Sequence, residues 1–194
     1  MQDFSKFKAI VIGGSAGSFP IISKILESIP ADFHLPVILC LHRLKHIKHG
    51  FVEALNIKSA INIIEPDDKT MIKPGMGYLA PANYHMFVEL GYNIALSTEE
   101  MLNFSRPSID LTFDTASYVY KEKLIGIILS GANKDGAEGL LKIKQRGGFT
   151  IVQDINEATV KTMPESALKL FNPDLILTSD EIANFVNNLK NDCQ

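Results

Sequence analysis

Residues 9–26 read AIVIGGSAGSFPIISKIL. A run of Ile and Val meets three glycines set around Ser15, and apolar residues then recur at helical spacing. A short β-branched run closed by glycine predicts a strand buried on both faces, as in a parallel sheet covered by helices. Strand, tight turn and helix together open a βαβ unit, and the chain repeats that alternation. KAIVIG (8–13), PVILCL (36–41), INIIE (61–65), KLIGIILS (123–130), FTIVQD (149–154) and DLILT (174–178) predict strands. Residues 19–29, 48–57, 108–121, 136–146, 164–171 and 180–190 have helical spacing. The pattern predicts an α/β fold, a three-layer α/β/α sandwich around a mostly parallel, doubly wound, Rossmann-like sheet. GYLAPANYHMFVELGYNIALST (77–98) breaks the rhythm. It predicts two or three short strands turning at Gly91-Tyr92-Asn93, an antiparallel hairpin excursion. The loop 97–107, ending in SRPS, is the least structured stretch.

The chain has 194 residues, 46% hydrophobic and 21% charged, which suits one soluble domain spanning 1–194. A formal net charge of -3 leaves no broad basic field, so nucleic acid and anionic membranes gain no support as partners. Two cysteines, Cys40 in an apolar run and Cys193 near the end, do not form a disulfide framework and point to a reducing cytoplasm. The N-terminal MQDFSKFKAIVIGG lacks the apolar core of a signal peptide, and no uncharged run approaches the roughly 20 residues of a membrane span.

Gly13-Gly14-Ser15-Ala16-Gly17 matches G-x-S-x-G between a predicted strand and a predicted helix, the setting of a nucleophile elbow. The glycines allow the sharp turn, and the helix N-terminus offers unpaired N–H groups to developing negative charge. A helix-capping turn and a phosphate cradle are the competing readings, but no Lys follows as in a P-loop, and Ser15 stands where a dinucleotide fingerprint needs its second glycine. A serine nucleophile needs a base. Of His34, His42, His46, His49 and His85, His42 directly follows the second strand. Parallel strands deliver their carboxyl ends to one crevice, which brings Ser15 and His42 to the same edge. His42, His46 and His49 also have helical metal-ligand spacing, but His42 should end a strand, so no metal and no cofactor are expected. For the carboxylate that orients the imidazole, Asp135 lies in the turn after the strand ending at Ser130. It reads equally as the N-cap of the following helix. Asp110, after SRPS, is the other candidate.

With VIGGSAGS, PVILCLH, GYLAPANYHMFV, RPSIDLTFDTAS, IGIILSGANKDGAEGLLKIKQRGGFTIVQD and MPESAL in this order, residues 8–190 resemble the catalytic domain of CheB-type chemotaxis protein-glutamate methylesterases. The resemblance implies Ser15 as nucleophile, His42 as base and Asp135 as orienting acid. Departures from the usual pattern lie around these letters. Ala16 replaces Thr, Arg43 and Leu44 replace a small apolar residue and Pro, and Thr162 replaces Gly before Met163. Ser130 to Gly136 reads SGANKDG where T-G-M-G-x-D-G is usual. Members commonly carry an N-terminal receiver domain, and a first strand beginning by about residue 8 leaves no room for one here.

The implied activity is hydrolysis of glutamyl methyl esters on the cytoplasmic helical bundle of a methyl-accepting chemoreceptor, with deamidation of glutamines as a second activity. Backbone N–H groups near Ala16 and Ala132 are oxyanion-hole candidates, and His85 and Arg106 are candidates for lining the cleft. The alternatives are a catalytically weak binding module and a serine esterase of another substrate.

Overall fold

The computed structural model describes residues 4–43 and 50–189. The chain runs β1 (Ala9–Gly14), α1 (Phe19–Ser28), β2 (Val37–Leu41), α2 (Phe51–Asn56), β3 (Asn62–Ile64), β4 (Met76–Leu79), β5 (His85–Glu89), β6 (Asn93–Ser97), α3 (Ile109–Tyr120), β7 (Leu124–Ile128), α4 (Ala137–Gln145), β8 (Phe149–Gln153), α5 (Thr162–Leu170), β9 (Leu175–Leu177) and α6 (Ser179–Asn187). Seven strands form one parallel sheet in the order β3-β4-β2-β1-β7-β8-β9.

Every residue of β1, β2, β7 and β8 is buried, because both faces of the sheet are covered. Alternation along β1 assigns its side chains to two cores. Ile10 and Ile12 pack with Ile22 and Leu26 of α1 and Ile182 and Val186 of α6. Ala9 and Val11 pack with Phe113 of α3, Leu140 and Ile143 of α4 and Met163 of α5. The result is the expected three-layer sandwich. Phe113 is fully buried in the second core. Phe113→Ala should cost about 3–5 kcal/mol in a denaturant melt, and a loss below 1 kcal/mol would mean that this layer tolerates the cavity.

One expectation needs correction. Met76–Leu79 is no part of an antiparallel excursion; it is an inner strand of the parallel sheet, with Gly77 beside Val37 of β2 and Ile63 of β3. Physically, Gly77 makes room for the Ile63 side chain, since a Cβ there would fall 2.2 Å from Ile63 Cδ1. Tyr78 and Leu79 then enter opposite cores. The excursion shrinks to β5 and β6, which pair antiparallel around Gly91-Tyr92. The predicted helix over 48–57 is described only from Phe51, and His46 and His49 lie outside the described residues, as does Cys193.

β1 sits between β2 on one side and β7 on the other, and the chain visits β2 before returning to β7. That reversal is a topological switch point, which opens a crevice above the carboxyl ends of three adjacent inner strands.

Candidate active site

Ser15 stands one residue beyond β1. Its N–H donates to Ser130 O at 2.9 Å, extending the β1–β7 ladder by a step. On the other side, His42 N–H donates to Gly14 O at 3.2 Å. Ser15 and His42 therefore leave neighbouring strands side by side. The turn closes when Ser18 Oγ and N–H both donate to Ser15 O, at 2.7 and 3.0 Å. Glycine is required twice here. A Cβ on Gly14 would meet Ser18 at 2.6 Å, and Gly17 has φ +83°. Ser15 is half-buried, Ala16 is exposed, and Ser15 Oγ makes no hydrogen bond to protein among the described residues. Catalytic hydrogen bonds commonly tighten only with substrate in place.

Asp135 comes from the turn between β7 and α4 and is fully buried. Its Oδ2 lies 2.8 Å from His42 Nε2 and accepts the Ile109 N–H at 2.7 Å. Its Oδ1 accepts from Ser108 Oγ at 2.9 Å and Asp110 N–H at 3.2 Å. Burial pushes this carboxyl up, but the His42 contact and the amide N–H groups outweigh it and hold Asp135 below the ordinary carboxylate range. An ionised carboxylate only accepts, so His42 Nε2 is the donor to Asp135, and Nδ1 is the ring nitrogen left for another partner. Asn133 Nδ2 stands 3.5 Å from it, too long for a strong bond. The Asn133 amide is fixed by donating to Ser105 Oγ at 3.1 Å and accepting the Asp135 N–H at 3.2 Å.

The structure separates the two aspartates that sequence left as rivals. Asp110 Oδ1 accepts the N–H groups of Gly136 and Gly139 at 2.8 and 2.7 Å, so a side chain from α3 caps α4. Asp135 is thereby released from capping and faces the imidazole. Burial pushes the Asp110 carboxyl up to about 6; the Gly139 N–H opposes the rise and the negative charge of Asp135 adds to it. Asp110's folded-state value exceeds the unfolded one of about 3.9, so its contribution is complete below about pH 3.9 and is lost as pH rises through about 6. Asp110→Asn keeps an acceptor for the α4 amides and removes the buried charge. Its stability relative to wild type should rise by on the order of 2 kcal/mol from pH 4 to pH 8. Denaturant midpoints at the two pH values measure this, and a pH-independent difference would exclude it.

His85 does not line the cleft. It is fully buried, with Nε2 2.9 Å from Glu100 O and Nδ1 accepting the Ser108 N–H at 3.2 Å. With both ring nitrogens engaged, the imidazole anchors the start of α3. Arg106 does reach the opening. It lines a pocket of about 140 Å³ with His42, Arg43, Met101, Phe104 and Ser105. Its guanidinium is spent on the loop itself, donating to Thr98 O, Glu99 O and Asn83 Oδ1. The side chain of Arg43, next to His42, is buried over Phe51 at 5.0 Å, and its Nη2 donates to Glu65 Oε1 and Ala80 O. Ser108, Asn133 and Ser105 were not singled out from sequence. SRPS placed Ser108 near Asp110, but nothing local reveals that it donates to Asp135.

Ala16 and Ala132 sit on the exposed side of the two turns flanking Ser15, and their N–H groups have no acceptor among the described residues. Larger concavities of about 510 and 600 Å³ lie elsewhere, the first lined by Lys8, Pro36 and Lys123 at the amino ends of the strands, the second by Val88, Tyr118 and Arg146. Among the described residues there is no cluster of metal-ligating side chains and no helix long and apolar enough to cross a membrane.

The chain has well-covered relatives of known family. A Leptospira interrogans protein is 44% identical over 177 residues, covering 91% of this chain and 92% of the relative. Proteins named protein-glutamate methylesterase/protein-glutamine glutaminase from Clostridium acetobutylicum and Thermotoga maritima are 32% and 31% identical, and this chain spans 51% and 52% of their lengths. The crystal structure of the Thermotoga maritima CheB methylesterase catalytic domain superposes with a TM-score of 0.89 at 29% identity, over 95% of this chain and 99% of that one. The CheB methylesterase family model matches residues 10–186, and the chain belongs to that family.

Proposed function

We propose that this protein is a protein-glutamate methylesterase that hydrolyses glutamyl methyl esters on the cytoplasmic helical bundle of a chemoreceptor, and that the same site deamidates glutamines there. The observation that carries the proposal is the His42–Asp135 pair at 2.8 Å, with the His42 backbone leaving β2 beside the end of β1, where Ser15 stands. The opening beside His42, about 140 Å³, is smaller than the roughly 300 Å³ at which enclosed small-molecule sites begin, which suits an ester presented on a protein surface.

Ser15 Oγ attacks the ester carbonyl carbon while its proton passes to His42 Nδ1. Asp135 keeps Nε2 protonated and stabilises the imidazolium. The carbonyl oxygen becomes an oxyanion, for which the N–H groups of Ala16 and Ala132 are the donors. Collapse of the tetrahedral intermediate breaks the bond to methoxide, which takes the proton from Nδ1 and departs as methanol. Water then gives its proton to Nδ1 and attacks the acyl carbon. Ser15 leaves with that proton and the glutamate carboxylic acid is released, to ionise in solvent. With a glutamine substrate the leaving group is ammonia.

The test is release of labelled methanol from methyl-labelled receptor, with Ser15→Ala as the control. Methanol release from wild type that Ser15→Ala abolishes is the expected result. Equal release by both proteins would remove Ser15 from the chemistry, and no release by wild type would defeat the proposal.

A further inference from the structure

On the rim of the opening beside His42, residues 101–106 form a turn whose cost is not explained by its own packing. Leu102 and Ser105 bridge one another, with Ser105 N–H donating to Leu102 O at 2.9 Å. Between them Asn103 and Phe104 take φ of +50° and +60°. Two successive left-handed residues in a two-residue turn favour the pair Asn-Gly. Asn103 suits its place, but Phe104 occupies the glycine position with a bulky side chain. That side chain is 99% exposed, flanked by Met101 at 45% and Leu102 at 41%. Strain and apolar exposure thus coincide at one residue, and such coincidences concentrate at functional surfaces.

The turn is also braced. Asn103 Nδ2 donates to Asp110 Oδ2 at 3.1 Å, and Ser105 Oγ accepts from Asn133 Nδ2 at 3.1 Å. Arg106 ties the next residue to Thr98, Glu99 and Asn83. These bonds fix the backbone, leaving Phe104 projecting from a fixed support. What can cover it follows from the pocket, because Met101 and Phe104 line the same opening as His42. A protein that brings a side-chain ester to His42 must lay its surface across this tip, whereas a small ester has no surface to do so.

We propose that the Met101–Phe104 tip is a docking knob for the protein substrate, with Phe104 entering an apolar notch between helices of the receptor bundle next to the glutamyl ester. The inference rests on the methylesterase reading and names how that site selects a protein over a free ester. Phe104→Gly is the decisive variant, because glycine is the residue the backbone prefers there and folding is not put at risk. On methylated receptor, its KM should rise about tenfold, the scale of losing an aromatic anchor, with kcat within about twofold of wild type and an unchanged or higher melting temperature. Binding to the same receptor in a Ser15→Ala background should weaken by the same factor, and Phe104→Tyr should restore most of it. Unchanged KM and binding would overturn the docking role, as would an equal fall confined to kcat. A change in the oligomeric state of the enzyme with unaltered KM would assign the knob to a second copy instead and likewise overturn the proposal. Ser15→Ala alone separates the two levels. If it still releases methanol, the esterase reading fails; if it is inactive while Phe104→Gly behaves as wild type, only the docking role falls.

Discussion

Asp135→Asn should lower kcat for ester hydrolysis about 10⁴-fold while leaving receptor binding nearly intact. The reason is the count of donors around the carboxylate. Ile109 N–H and His42 Nε2 converge on Oδ2, while Ser108 Oγ and Asp110 N–H converge on Oδ1. Asparagine offers one acceptor oxygen and one NH2 group, so one side must present donors to donors. If the NH2 group faces His42, the ring must turn its lone pair to Nε2 and carry its proton on Nδ1, which leaves no base for Ser15. If it faces Ser108 instead, the negative charge that stabilises imidazolium is still absent. The measurement is kcat and KM on methylated receptor, with the near-ultraviolet circular dichroism of the variant compared with wild type. A loss below about tenfold with native spectra would mean that Asp135 is not the orienting group.

Ser15→Ala should be larger still, a fall in kcat of between about 10⁴ and 10⁶, to whatever the oxyanion donors and substrate positioning supply alone. Stability should hardly change, because Ser15 Oγ makes no protein hydrogen bond among the described residues. Combining it with Asp135→Asn should add little, since members of one proton-transfer chain act as a unit. Additive losses in the double variant would instead show the two residues working in separate steps.

The parallel sheet was legible because inner strands leave a plain mark: KAIVIG and PVILCL contain almost nothing but buried apolar residues. GMGYLA over 75–80 left no such mark, since Gly77 had to yield space to Ile63 and the strand supplies few β-branched residues. Its short run beside a true hairpin was therefore absorbed into the hairpin. In the site, residues at strand ends could be placed by topology alone, which is why Ser15, His42 and Asp135 were nameable. Side-chain direction could not. His85 and Arg106 both belong to the correct end of the molecule, but which way each points depends on partners such as Glu100, Ser108 and Asn83, far away in sequence. Asp110 and Asp135 illustrate the same limit. From the letters either could orient the imidazole and Asp135 read as the cap of α4; only packing of α3 against α4 assigns the cap to Asp110.

The two strands that flank the switch point are locked in register, with Gly14 opposite Leu41 and the ladder carried one step further by His42 N–H on Gly14 O. The spacing of the Ser15 and His42 backbones is inherited from that register and not from either loop. A slip by a single residue would shift one strand about 3.3 Å against the other and turn its side chains to the opposite face of the sheet, so the two residues would no longer leave it side by side.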